Sequence, residues 1–234
     1  MIPIHIESAW QGTSDCRNCG IRDMVLFADL NEQDFSQIHT PIDDLNFGQD
    51  AVLFHEAAQA QSVFTLRKGL VKLVRSTADG RERIVRVLRA GDVIGIEAMA
   101  TSRYDTEAVA MTEISVCRIP LTVLHHLSTH SPRLHSRLMQ KWQQALKDAD
   151  DWLAELNFGT ARQRVAGLVL KMRDPEAPRN TTLFARQDMG AMLDLKLETV
   201  SRELSALVRD GLLRPQDKSG RSYEILDEKR LQAL

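Results

Sequence analysis

An α+β fold in three parts is what the sequence predicts: an antiparallel β-roll, a long helix behind it, and a C-terminal winged helix-turn-helix. Three observations predict it. Short β-branched runs with glycine-bearing turns crowd residues 46–120, residues 131–157 carry apolar side chains at alternating spacings of three and four, and residues 186–226 read as helix, turn, helix and hairpin in close order.

The β-rich part comes first. Its apolar runs are Ala51–Phe54, Val63–Leu66, Leu70–Val74, Ile84–Leu88, Val93–Ile96 and Ile114–Ile119. Turn signals separate them at Phe47-Gly48-Gln49-Asp50, Lys68-Gly69, Ala78-Asp79-Gly80-Arg81 and Ala90-Gly91-Asp92. Many short strands at near-regular spacing make an antiparallel sandwich or roll. This N-terminal and sensory part is assigned residues 1–130.

Ser131-Pro132 reads as an N-cap followed by proline at the first helical position. No glycine or proline interrupts the pattern before Asn157. Met139, Trp142, Leu146, Ala149, Leu153 and Leu156 form the seam of a two-stranded coiled coil, so residues 131–157 are expected to hold a homodimer together. Asn157-Phe158-Gly159 breaks the pattern and opens a third part, residues 158–234, with a helix over about 160–173 and a loop over 174–180.

Within that part a short helix spans about Gln187–Leu193, Asp194-Leu195-Lys196 turns the chain, and a second helix runs about Leu197–Asp210 to Gly211. Leu193, Leu195, Val200, Leu204 and Leu207 are placed to close a small core beneath the pair. The outer face of the second helix then offers Glu198, Ser201, Arg202 and Ser205. Glutamate accepts from cytosine N4, arginine grips guanine O6 and N7, and serine serves either way, so this face suits base reading in a major groove. Arg186, Lys196, Ser205, Arg209 and Arg214 are the candidates for DNA backbone contact. Leu212–Pro215 and Ser222–Leu226 flank residues 216–221 as a β-wing.

Composition narrows the function classes. Hydrophobic residues make 43% and charged residues 26% of 234, with mean hydropathy −0.26 and no run long enough to span a membrane. From Asn157 onward 14 basic residues stand against 11 acidic ones, whereas the remainder has 16 against 21. An acidic front and a basic back suit a sensor joined to a nucleic-acid module. No Gly-rich phosphate loop, Gly-x-Ser-x-Gly elbow or His-Glu-x-x-His motif points to an enzyme. The N-terminus has no basic stretch leading into an apolar one, so the expected place is the cytoplasm.

Taken together, these residues resemble the CRP/FNR family, most closely its FNR-like branch. Gly48, Gly69, Gly80, Gly91 and Gly95 fall where that family's β-roll turns, and Glu198-Thr199-Val200-Ser201-Arg202 is similar to its FNR-type Glu-x-x-Ser-Arg recognition signature. The resemblance implies a jelly roll like cyclic-nucleotide-binding domains and a homodimer on double-stranded DNA. It implies a palindrome resembling TTGAT-N4-ATCAA, read by Glu198, Ser201 and Arg202. It puts Asp79 and Gly80 where family members touch RNA polymerase, which leans toward activation.

What would be sensed has several readings. Family members that bind cyclic nucleotides hold the phosphate with Arg-Ser; Asp105-Thr106 stands there, and a carboxylate repels phosphate. Arg103 nearby keeps that effector open, as it does another small effector, such as a haem ligand, or no cofactor at all. Cys16-Arg17-Asn18-Cys19 and Cys117 resemble three ligands of an oxygen-sensing [4Fe-4S] cluster, with Val25 where the remaining cysteine belongs. Asp15, Asp23, Asp29 or His5 would have to complete it. Cys16 and Cys19 also fit a regulatory dithiol, and Cys117 fits a buried strand residue. His126 and His130 are the one histidine pair with zinc-like spacing, and they read as solvated.

Overall fold

The computed structural model describes residues 24–38, 40–77, 80, 82–174 and 177–234. Cys16, Cys19, His5, Asp15, Asp23 and Asp79 lie outside the described residues. The chain divides into two compact units; the second takes residues 148–234 together with residues 77–84, so that one break falls inside the long helix.

The first unit is the roll. One sheet has β1 (Asp43–Phe47), β8 (Ile114–Pro120), β3 (Ser62–Lys68) and β6 (Val93–Ile94) in that order, all neighbours antiparallel. The other has β2 (Val52–Phe54), β7 (Glu107–Ala110), β4 (Val71–Ser76) and β5 (Glu82–Leu88). Leu66, Ile94 and Val116 of the first sheet and Val71, Leu73 and Ala108 of the second close a dry core between them. Six of these strands follow the apolar runs of the sequence. β7, Glu-Ala-Val-Ala, does not announce itself, because alanine and glutamate have low strand propensity. It forms because both its edges are paired, to β2 and β4.

α1 (Glu32–Phe35) begins at Asn31 with a reciprocal capping box to Asp34. α2 (Leu121–His130) leaves β8 directly and buries Val123, Leu124 and Leu127. Its β-branched and histidine content hid it in the sequence, and burial of that one apolar face supplies the missing stability.

α3 runs Pro132–Leu156. The Ser131 hydroxyl accepts from the Leu134 amide at 3.3 Å, as the Ser-Pro start predicts. Leu134 and Leu138 are buried in the roll, and Trp142 packs against the same core. On the seam, Met139, Leu146 and Leu153 stand 51%, 65% and 55% exposed, seven residues apart. Leu156 corrects the expected seam. It is 1% exposed within its own chain, where it lies against Gly167. The helix carries two apolar stripes, and its last leucine belongs to the inward one.

The second unit holds α4 (Ala161–Lys171), β9 (Asn180–Thr182), α5 (Arg186–Leu193), α6 (Leu197–Arg209), β10 (Leu213–Pro215), β11 (Ser222–Ile225) and α7 (Glu228–Gln232). Thr160 and Gln163 form the capping box that starts α4. The strands pair in the order β10-β11-β9. Val165, Leu168, Val169, Met189, Leu193, Val200, Leu204, Leu207 and Leu213 are among its buried residues. The helix-turn-helix and hairpin fall where the sequence placed them; the short α7, capped by Asp227, was not foreseen.

Candidate nucleic-acid interface

Three residues, Asp194, Leu195 and Lys196, make the turn between α5 and α6. Asp194 takes the left-handed conformation at φ 53, and the Leu195 amide donates to the Gly190 carbonyl at 3.0 Å. A Cβ on Gly190 would lie 2.6 Å from the Leu195 carbonyl oxygen, so only glycine lets the turn pass this close to α5. Two arginines of α4 brace the pair from behind. Arg164 donates to the Leu193 carbonyl at 2.6 Å, satisfying the end of α5. Arg162 bonds Asp210 at 2.5 Å, and that guanidinium holds the Asp210 carboxyl below the usual aspartate range.

α6 therefore stands with one face sealed and one face wet. Val200, Leu204, Ala206 and Leu207 are buried. Glu198 and Ser205 are exposed, Ser201 is half-buried, and Arg202 has 70% of its side chain in solvent. Among the described residues the ion pair of Arg202 is with Glu203 at 3.7 Å and not with Glu198. The Ser205 hydroxyl donates to the Ser201 carbonyl at 2.9 Å. No side chain caps the start of α6 at Lys196, and the Thr199 amide donates to the Lys196 carbonyl at 3.0 Å.

The expected backbone contacts divide. Lys196 is exposed at the start of α6. Arg209 is exposed in the last turn of α6, about 18 Å along the axis from Leu197, at the end away from the reading residues. Arg214 grips Glu224 across the wing, its Nε at 3.0 Å and its Nη2 on the same oxygen. Arg186 bonds the wing turn and Tyr223.

Three residues of this face escaped the sequence reading. Leu197 is 46% exposed at the first position of α6, next to the readers. An apolar residue opening a helix reads as core, and only the fold turns it outward. Lys218 and Arg221 are exposed on the wing turn; their signal was the two positive charges within residues 216–221.

In the roll, Phe54 stacks on Tyr104 with centroids 3.6 Å apart and planes within 9°, and Phe64 stacks on Phe54 at 6.1 Å. The Tyr104 hydroxyl donates to the Ser62 carbonyl at 2.6 Å, and burial raises its pKa above the ordinary phenol value. Aromatic side chains thus fill the interior beside Thr106, which is buried with an unpartnered hydroxyl, while Asp105 is exposed. Arg103, the nearby cation of the sequence reading, is exposed and donates to the Ala57 carbonyl at 2.6 Å.

Cys117 sits on β8, 9% exposed, paired in register with Asp44 on β1 and Thr65 on β3. Val25, in the cluster resemblance's remaining cysteine position, is a half-buried turn residue whose carbonyl accepts from Ala28 at 3.3 Å. Among the described residues no group of three His, Cys, Asp or Glu is placed to hold a metal. A hydrocarbon at 25 does not fit a four-thiolate cluster. His126 and His130 are exposed, with rings 4.5 Å apart. Gly80 turns the tip between β4 and β5, its amide donating to Thr77 at 2.8 Å.

Two family models match the chain: the cyclic nucleotide-binding domain over residues 44–130 and the Crp-like helix-turn-helix domain over residues 163–234. The transcriptional activator protein FnrA of Stutzerimonas stutzeri is 28% identical over 233 residues, covering 96% of this chain and 93% of the relative. The fumarate nitrate reduction regulatory protein of Klebsiella oxytoca is 29% identical over 212 residues, 87% of this chain and 84% of the relative. FixK2 from Bradyrhizobium japonicum superposes with a TM-score of 0.74 at 27% identity, over 82% of this chain and 96% of that one. No helix among the described residues is long and apolar enough to cross a membrane.

Proposed function

Because this chain belongs to the CRP/FNR family of transcription regulators, we propose that it binds double-stranded DNA as a homodimer at an FNR-like palindrome and answers a redox signal. The observation that carries the DNA reading is the wet face of α6, with Glu198, Ser201 and Arg202 outward on a helix whose other face is sealed. Lys196 binds phosphate and sets register; the three readers and Leu197 meet base edges, the leucine beside a thymine methyl. The dimer forms through Met139, Leu146 and Leu153, with Ala149 between them and Trp142 at the edge. Two half-sites about 34 Å apart then face two copies of α6.

The redox assignment rests on the thiols Cys16, Cys19 and Cys117. Of the two forms it takes, the Cys16–Cys19 dithiol is favoured by Val25, since a dithiol needs no fourth ligand. Oxygen or nitric oxide acting on a three-cysteine [4Fe-4S] cluster is the other. The signal shifts the pairing of α3, and α3 sets the spacing of the reading helices. RNA polymerase is the further partner, at Asp79 and Gly80, where the resemblance puts that contact.

A gel shift across a salt series, with TTGAT-N4-ATCAA against a scrambled duplex, tests the DNA reading. Tighter binding to the palindrome at every salt concentration is expected; equal binding to both would overturn it. Anaerobic purification with iron and sulfide analysis separates the two redox forms, iron-free colourless protein removing the cluster.

A further inference from the structure

Arg186 opens α5, and its guanidinium crosses to the wing. Nη2 donates to the Gly220 carbonyl at 2.6 Å and to the Tyr223 hydroxyl at 2.7 Å. The guanidinium carbon lies 5.9 Å from the centre of the Tyr223 ring, and Nη1 is 3.6 Å from the Met189 sulfur. Tyr223 is 5% exposed, so the arginine is tied to a fixed point of the core. Gly220 has φ 67, a left-handed position, and a Cβ there would come within 3.4 Å of Arg186 Nη2.

The same turn is closed from inside by Asp217. Its carboxylate accepts from the Ser219 hydroxyl at 2.7 Å and from the amides of Arg221 and Ser222 at 3.2 and 3.3 Å. Two ties thus fix one six-residue turn, and the exposed cations on it are Lys218 and Arg221. A free hairpin of this length would sample many orientations, and a cation on it would lose ordering entropy at every encounter with DNA.

We propose that Arg186 is a positioning residue for DNA binding: by bridging the start of α5 to Gly220 and Tyr223 it holds the turn that carries Lys218 and Arg221 in a fixed place, and does not itself neutralise a phosphate. A fork with one nitrogen on a carbonyl and a phenol is committed to the protein, whereas a phosphate-binding arginine presents its donors outward. This rests on the DNA-binding reading above.

The test compares Arg186→Ala, Arg186→Lys and Tyr223→Phe, alone and with Lys218→Ala/Arg221→Ala, on palindrome and scrambled duplexes across salt. Arg186→Ala is expected to weaken both duplexes by about five- to tenfold, the worth of a lost charge-assisted bond pair. Lysine is one bond shorter and lacks the planar face, so Arg186→Lys is expected to stay as weak as the alanine variant. Tyr223→Phe, which keeps the core filled, is expected to give a smaller loss in the same direction. In the Lys218→Ala/Arg221→Ala background the effect of Arg186→Ala should shrink to less than about twofold, because the two act through one contact. Recovery of affinity by lysine, or an undiminished effect without the wing cations, makes Arg186 a direct phosphate contact and overturns the proposal. So does unchanged binding by Arg186→Ala. Amide exchange at residues 219–222, measured without DNA, should speed up in Arg186→Ala and not in Lys218→Ala. That readout stands if the palindrome is wrong, whereas equal wild-type binding to both duplexes with a rigid wing sinks the DNA reading alone.

Discussion

Arg202 and Lys196 lie six residues apart in sequence and are asked to do different things. Arg202 stands 70% in solvent on the reading face. Replacing it with alanine should cost roughly 1–3 kcal/mol on the palindrome and little on scrambled DNA, because a bidentate base contact carries the discrimination. Lys196→Ala should weaken both duplexes alike and lower the slope of log K against log salt by about 0.9. Competition titrations at several salt concentrations check both, and equal losses on the two duplexes for Arg202→Ala would contradict its role as a reader. Most of this was legible residue by residue: the Glu-x-x-Ser-Arg spacing puts three polar groups on one face of a helix whatever surrounds it. Arg186 and Arg214 were not legible. A charged residue read from sequence is assigned to solvent, and nothing in its neighbours says that Tyr223 or Glu224 will arrive from the far side of a hairpin.

The turn between α5 and α6 is a tight joint of the second unit. Gly190→Ala would push a methyl group against the Leu195 carbonyl, 2.6 Å from the new carbon, and is expected to destabilise this unit by about 1–3 kcal/mol. A urea melt followed by far-ultraviolet dichroism measures it; a variant as stable as wild type would mean the joint is slack. The wing has its own signature in pH. The Ser219 hydroxyl, with the Ser222 and Arg221 donors, holds the Asp217 carboxyl below the usual aspartate range. A depressed carboxylate stabilises the turn above its unfolded value and ceases to do so as pH falls through the folded one. The Ser222 amide resonance should therefore stay constant from pH 7 down to the ordinary aspartate value of about 3.9 and move only below it, while Asp217→Asn abolishes the step. Elements with strong periodicity or caps were readable in advance, α3 and α4 among them. α2 and β7 were not, since each draws its stability from a partner surface rather than from its own residues.

At the scale of the molecule, the order of roll, helix and winged helix-turn-helix follows from three different periodicities laid end to end. The assignment of α3 residues was less complete. The spacing of three and four is satisfied by Leu156 as well as Leu153, and only packing against Gly167 shows that the first is already covered. Leu146→Glu with Leu153→Glu should raise the dimer dissociation constant by at least about thirtyfold, the loss of one buried anchor, and leave the roll folded. Sedimentation velocity with a dichroism control checks it, and an unshifted dimer would move the interface elsewhere. The three half-wet side chains at 139, 146 and 153 also bear on how the regulator responds to its own abundance. If solitary chains must first find each other before two half-sites can be occupied, promoter occupancy in the dilute regime climbs with the square of chain number rather than in proportion to it. A twofold rise in expression would then be felt as about a fourfold rise at the operator, so synthesis and turnover of the chain become an input in their own right.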